Sequence, residues 1–299
     1  MSRIHEALKK AEQERATMQG GVQPVPAPPA MPEGAEPEVL RSAAASTVFS
    51  TTSPETMLAR CPQREWKPDA AVALFMNGND SARGTEEFRT LRSRLYQYRE
   101  KMVLKSLLVT SALPKEGKSF TSSNLAQVFG RQHGRRVLLI DADLRGPRLH
   151  LMLGTSAGPG LSEYLQGQAD EFSILQRGPM ENLYFVPSGH AIADPAELVG
   201  NGRLKILLDR LGPLFDWVIV DSPPAIPVAD ASLLAKACDG VLLVVRSNST
   251  PSDAARRARM EFPEQQLVGV VLNGTNQPAA EYERYYYEQY EKQGSAAKS

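Results

Sequence analysis

One stretch constrains this 299-residue chain more than any other. Residues 106–120 read SLLVTSALPKEGKSF, a buried-strand candidate centred on Leu107-Leu108-Val109, then a short loop ending in Gly117-Lys118-Ser119, and then a helix-forming segment. Glycine lets a backbone close tightly on an anion. A lysine there reaches the β- and γ-phosphates of a nucleotide, and the serine hydroxyl binds Mg²⁺. The helix that follows aims its positive end at the same anion. Gly117-Lys118-Ser119 is a weak signal alone and a strong one between a buried strand and a helix. The strict pattern has glycine at position 112, where this chain has Ala112, and Pro114 and Lys115 crowd a usually glycine-rich loop. The residues expected to contact ATP are Pro114, Lys115, Glu116, Gly117, Lys118, Ser119 and Phe120.

The rest of the chain supports that placement. Further apolar runs occur in RRVLLIDAD (135–143), NLYFVPSG (182–189), FDWVIVDSPP (215–224), GVLLVVRS (240–247) and LVGVVLNG (267–274). They are continuous rather than alternating, which predicts parallel strands covered on both faces. Helical patterns separate them, among them residues 119–132, 194–212 as one or two helices with Asp194 as the N-cap candidate, and 252–262. Strand–helix alternation predicts a doubly wound, mostly parallel α/β sheet, with ligands at the carboxyl ends of the strands.

Those strand ends carry acids. Asp141 and Asp143 close one run and Asp221 closes another. Two carboxylates at a buried strand end need a cation to share. Beside a phosphate loop they can ligate Mg²⁺ or accept a proton from an attacking nucleophile. Asp221, after Trp-Val-Ile-Val, has the setting of a Walker B aspartate, which holds Mg²⁺ through its water shell. Asn273 closes the last run, where its amide either reads an adenine edge or caps a turn with Gly274.

Bulk properties exclude other classes. Lys plus Arg and Asp plus Glu both total 34, so no overall field calls for nucleic acid. Cys61 and Cys238 form neither a disulfide framework nor a metal motif. The N-terminus lacks the apolar core of a signal peptide, and no apolar run approaches the ~20 residues of a membrane span. These features predict a cytoplasmic protein. Residues 1–18 form one expected helix, with Met1, Ile4, Leu8, Ala11 and Met18 on a narrow face that either stays solvated or docks on a partner. Residues 19–66, rich in Pro and Ala, read as a disordered linker. Residues 67–277 form the expected folded domain and 278–299 a tail.

That tail holds Tyr282, Tyr285, Tyr286, Tyr287 and Tyr290 among Glu281, Glu283, Glu288 and Glu291. On a helix, Tyr282, Tyr286 and Tyr290 would form a packing stripe. Beside a phosphoryl-transfer site, the same tyrosines read as acceptors. Each phosphotyrosine adds about −1.5 to −2 charges, so an acidic tail once modified would be repelled from an acidic site.

In order, SALPKEGKS, LLIDADLRGPR and VIVDSPP resemble the Walker A, A′ and B motifs of bacterial tyrosine kinases, the cytoplasmic autokinases of capsule and exopolysaccharide loci. EEFRTLRSRL (86–95) resembles that family's E-x-x-R-x-x-R helix, here Glu86, Arg89 and Arg92. SGHAIADPAELV is similar to a further family segment, and the tyrosine cluster to the family's phosphoacceptor tail. The N-terminus resembles that of a subgroup encoded with exopolysaccharide export systems. The resemblance covers roughly residues 67–292.

It implies a P-loop fold shared with ParA- and MinD-type ATPases, with ATP and Mg²⁺ as cofactors. Lys118 and Ser119 would bind phosphate and metal, Asp141 would activate the tyrosine hydroxyl, and Asp143 and Asp221 would support Mg²⁺. Glu86, Arg89 and Arg92 would build a ring-shaped homo-oligomer in which a neighbour's tail enters each site. Phosphorylation would loosen the ring. The implied partners are a separate membrane-spanning polysaccharide chain-length regulator, which would hold the protein at the inner face of the cell membrane, and a cognate tyrosine phosphatase. Lys115 stands where the family often has glycine. Two other readings compete. A ParA/MinD-type ATPase would usually carry a second lysine at the position of Leu113, and a non-catalytic nucleotide-sensing scaffold would bind ATP without tyrosine transfer.

Overall fold

The computed structural model describes Thr56, Leu58 and residues 61–76 and 84–275. The expected N-terminal helix, most of the linker and the tyrosine tail lie outside these residues.

The central sheet has seven strands: β1 (Ser106–Ser111), β2 (Val137–Asp141), β3 (Gln176–Arg177), β4 (Leu183–Val186), β5 (Trp217–Asp221), β6 (Gly240–Arg246) and β7 (Leu267–Asn273). Their order across the sheet is β3-β4-β2-β5-β1-β6-β7. All pairings are parallel except β3 with β4. Every residue of β1, β2, β4 and β5 is buried, which is why their sequences are apolar without alternation. The doubly wound α/β fold expected from the sequence is therefore the observed one.

The helices are α1 (Thr85–Arg99), α2 (Lys118–Gly130), α3 (Leu149–Leu153), α4 (Leu161–Leu165), α5 (Pro195–Gly200), α6 (Arg203–Leu211), α7 (Asp230–Ala235) and α8 (Ser252–Met260). One hydrophobic cluster joins α1 and α2 to Leu107, Val109, Leu139 and Ile219. The other joins α4, α6 and α7 to Leu108, Leu138, Val218 and Val220 on the opposite face. Helix α2 is buried almost throughout, including its polar residues. Two of these tie down a distant segment: Asn124 Oδ1 accepts the Leu74 N–H at 2.9 Å and Gln127 Oε1 the Phe75 N–H at 3.1 Å.

Of the two alternatives for 194–212, two helices is the observed one, parted at Gly202, whose φ of 80° suits glycine. Three expectations are revised. Asp194 precedes α5 but its side chain makes no cap bond. Strand β7 is an edge rather than a doubly covered strand, with Val270 57% and Leu272 58% exposed. Helix α8 buries only Ala254 and Ala258, too little surface to cover it.

The third revision concerns the end of the linker. Leu58, Cys61 and Trp66 are buried. The Arg64 N–H bonds the Arg177 carbonyl at 2.9 Å, and the Trp66 ring meets Phe185 edge-on at 6.0 Å. The folded unit thus begins before residue 67, because a few apolar anchors sit within Pro- and Ala-rich surroundings. No helix among the described residues is long and apolar enough to cross a membrane.

Candidate active site

Strand β1 ends at Ser111 and α2 begins at Lys118, so residues 112–117 form the loop between them. Two loop residues have left-handed backbone, Lys115 at φ 67° and Gly117 at φ 96°. Gly117 is there for close approach as well. A Cβ on it would lie 2.0 Å from Asn273 Nδ2. Alternating backbone of this kind turns N–H groups toward a common concavity that suits an anion.

Lys118 and Ser119 open α2 and point at the acids on the neighbouring strand ends. Lys118 Nζ lies 2.6 Å from Asp143 Oδ2 and 4.0 Å from Asp221 Oδ2. The Ser119 hydroxyl donates to Asp221 Oδ2 at 2.6 Å, and the Ser122 hydroxyl to Asp221 Oδ1 at 2.9 Å. Asp141 Oδ2 accepts the Leu149 N–H at 3.1 Å and its Oδ1 the Asp143 N–H at 3.3 Å. Strands β2 and β5 are adjacent, and Asp141 is in register with Asp221.

Burial dominates the electrostatics. It lifts the Asp141 carboxyl from 3.8 to about 8, with Asp221 adding to the rise. Burial also raises Asp221, against the pull of Lys118, Ser119 and Ser122. For Lys118 burial acts downward, but Asp221 and Asp143 outweigh it and hold the ammonium above its usual range. The result is one buried cation shared among three acids at the carboxyl edge of the sheet, where a doubly wound fold binds its ligand.

Residues 115–253 match an AAA domain family. The tyrosine-protein kinase YwqD of Bacillus subtilis is 36% identical over 64% of this chain and 81% of its own length. CpsD of Streptococcus agalactiae, also named a tyrosine-protein kinase, is 35% identical over 68% of this chain and 90% of its own. The chain belongs to the bacterial tyrosine-protein kinase family. Its fold agrees: the kinase domain of Escherichia coli tyrosine kinase ETK superposes with a TM-score of 0.62 at 32% identity, over 67% of this chain and 80% of that one.

Within this family member, most of the sequence-predicted residues converge and some do not. Lys118, Ser119, Asp141, Asp143 and Asp221 meet as described. Asp143 pairs directly with Lys118, whereas Asp221 is the carboxylate on the Ser119 hydroxyl. Phe120 does not face the loop; its ring packs 5.8 Å from Phe88. Glu116 is 3% exposed and turned inward, while Pro114 and Lys115 are exposed.

Asn273 takes the turn-capping role with Gly274 and also braces the loop. Its Nδ2 donates to the Glu116 carbonyl at 2.9 Å and its Oδ1 accepts the Gly274 N–H at 2.8 Å. On α1, Arg89 pairs with Glu86, and Arg92 donates to the Val128 carbonyl of α2 at 3.0 Å.

Several site residues escape a motif reading. Ser122 lies one helical turn beyond Ser119, a spacing that could have revealed it. Thr250 bonds Glu116, and Arg246 bonds the Lys115 carbonyl at 3.2 Å. Arg145 makes a two-pronged pair with Asp230, at 2.8 and 3.0 Å. These last pairings join residues far apart in sequence, and no local pattern announces them.

The donor set suits a magnesium nucleotide. Ser119 and Asp221 offer hard oxygen donors of the kind Mg²⁺ prefers. Among the described residues, no three His, Cys, Asp or Glu side chains form a metal cage. Mg²⁺ seldom needs one, because one or two carboxylates plus substrate phosphates ordinarily hold it.

Proposed function

We propose that this chain is an ATP-dependent protein-tyrosine kinase that modifies Tyr282, Tyr285, Tyr286, Tyr287 and Tyr290 of a neighbouring copy. The observation that carries this reading is Lys118 held between Asp143 and Asp221 at the end of a buried parallel sheet. The loop N–H groups and Lys118 bind the β- and γ-phosphates. Ser119 and Asp221 hold Mg²⁺, which when bound offsets phosphate charge. Asp143 keeps the Lys118 ammonium in place.

The acceptor is a tyrosine hydroxyl with a pKa near 10, so it must lose its proton as transfer proceeds. The bond from the γ-phosphorus to the ADP oxygen breaks and a bond to the tyrosine oxygen forms. The hydroxyl proton passes to Asp141 in its ionised form. Burial raises the Asp141 pKa to about 8, so the ionised form is a stronger base than an ordinary aspartate but the minority form at neutral pH in the nucleotide-free protein, and transfer should quicken as pH rises toward 8.

In this reading the kinase acts in exopolysaccharide or capsule polymerisation and export. It assembles as a ring through Glu86, Arg89 and Arg92, loosens when its tail is phosphorylated, and reaches the cytoplasmic face of the membrane through a separate chain-length regulator. A cognate phosphatase resets it.

Mass spectrometry of the tail, for wild type and Lys118→Met each incubated with ATP and Mg²⁺, tests the central claim. Phosphotyrosine in the wild type alone is the expected result. Unmodified tails in both, with steady ATP hydrolysis by the wild type, would favour a ParA/MinD-type ATPase. Unmodified tails with ATP binding and no hydrolysis would favour the scaffold.

A further inference from the structure

The phosphate loop is held by a side chain of its own, Glu116, and by Arg246, Thr250 and Asn273 from beyond it. Lys115 sits at φ 67°, a region that costs a non-glycine residue free energy and persists only when its surroundings over-determine it. Its own side chain is exposed. The restraint comes from elsewhere, in three places.

The first is Glu116, whose carboxyl is turned away from the concavity. Its Oε2 accepts the Leu113 N–H at 2.8 Å, closing the loop on itself, and its Oε1 accepts the Thr250 hydroxyl. Among the described residues no cation pairs with it. A buried carboxyl satisfied by one amide and one hydroxyl is a costly way to fill space, so its position needs a reason. The second is Asn273 at the end of β7, whose amide holds the Glu116 carbonyl and is itself oriented by the Gly274 N–H. The third is Arg246 at the end of β6, which donates to the Lys115 carbonyl at 3.2 Å. Together they fix the Lys115 and Glu116 carbonyls and the Leu113 N–H, and so the course of the loop backbone on both sides of the strained residue.

We infer that Glu116, latched by Thr250 and backed by Asn273 and Arg246, is a positioning residue that holds the phosphate loop in its binding shape and thereby sets nucleotide affinity. The inference rests on the reading of this loop as the nucleotide site. The Glu116 carboxyl, turned inward, acts through the Leu113 N–H and Thr250, while Arg246 and Asn273 hold the Lys115 and Glu116 carbonyls. A latch of this kind makes binding cheaper because the loop is ordered beforehand.

The test is titration of the full chain with a fluorescent ADP analogue and Mg²⁺, alongside a thermal melt without nucleotide. Glu116→Ala should weaken binding about tenfold and Thr250→Val about threefold, as expected for loss of buried hydrogen bonds. The double variant should be within about twofold of Glu116→Ala alone, because both changes open the same latch. Glu116→Gln keeps the acceptor for Leu113 and should recover most of the affinity. In kinase assays the KM for ATP should rise more than kcat falls.

Affinity unchanged in Glu116→Ala and in Thr250→Val, with or without a lower melting temperature, would overturn the proposal, as would fully multiplicative effects in the double variant. If Glu116→Ala does not fold, Thr250→Val and Arg246→Ala carry the same test. Lys118→Met separates the two levels of the argument. If it too binds normally, the nucleotide site itself is misread. If it binds weakly while the latch variants bind normally, only the latch is wrong.

Discussion

Asp141 and Asp221 stand side by side on adjacent parallel strands, in register and with no exposed surface. Two carboxyls so placed cannot both ionise cheaply, and burial raises both above the usual carboxylate range. Between the ordinary aspartate value of 3.8 and about 8, native Asp141 keeps a proton that the unfolded chain has released. The native state then binds more protons than the unfolded one, so stability falls as pH rises through that window. Thermal melts of the nucleotide-free protein in chelator, from pH 5 to 9, should show a falling melting temperature. Asp141→Asn should flatten the slope and melt higher than wild type at pH 8. A wild-type profile that rises over this range would contradict the arrangement.

Lys118 carries the opposite burden. It is the cation shared by Asp143 and Asp221, with side-chain exposure of only 11%. Lys118→Met removes the charge and leaves both acids buried without a paired cation, a loss of about 3 kcal/mol by analogy with broken buried pairs. Part of that loss should return on acidification, because the stranded carboxyls can take up protons. Urea unfolding at pH 8 and pH 6 should therefore give a wider gap from wild type at pH 8. A gap that stays the same at both values would mean that the acids do not depend on this lysine.

Asp221 is gripped by two hydroxyls with different expected duties. Ser119 donates at 2.6 Å and is positioned to bind metal, whereas Ser122 donates at 2.9 Å from one turn further along α2. Ser119→Ala should lower kcat/KM by roughly two orders of magnitude and raise the Mg²⁺ requirement, since under the proposed function it deletes a metal ligand. Ser122→Ala should cost only about threefold, the loss of one hydrogen bond to a carboxylate that keeps another. A Mg²⁺ titration of both variants compares them directly, and equal losses would assign Ser122 a share in metal binding.

How much of this was legible beforehand depended on distance along the chain. The strand runs ending in Asp141, Asp143 and Asp221, and the loop around Lys118, were readable because each is a local pattern set by burial and by phosphate chemistry. The latch of Glu116 on Thr250 was not, since the residues are 134 positions apart and each alone is an ordinary polar residue. Asn273 showed its place but not its task. A strand-end amide reads the same whether it meets a base or a carbonyl, and only the approach of Gly117 decides between them. For Phe120 motif membership did not reveal which way the side chain turns; in α2 its ring faces Phe88. The open face of β7 was hidden for a related reason. An apolar strand reads as covered, and only the small buried face of α8 shows otherwise.

The start of the folded domain gives a last prediction. Trp66 is 6% exposed, lies edge-on to Phe185, and fills the space above Gly178, where a Cβ would come within 2.2 Å of its ring. Its indole N–H is buried with no hydrogen-bond partner among the described residues, so the ring contributes through packing alone. Trp66→Phe should therefore keep most of the stability, because it retains an aromatic face and removes an unsatisfied donor. Trp66→Ala should lose about 3–5 kcal/mol, the usual cost of emptying a buried aromatic site. A chain beginning at residue 67 should be at least as unstable as Trp66→Ala, since it also loses Leu58, Cys61 and the Arg64–Arg177 backbone bond. A chain beginning at residue 51 should match the full-length protein in urea unfolding. Equal midpoints for the chains starting at 51 and 67 would return the boundary to the end of the Pro-rich stretch and leave the Trp66 contacts without energetic weight.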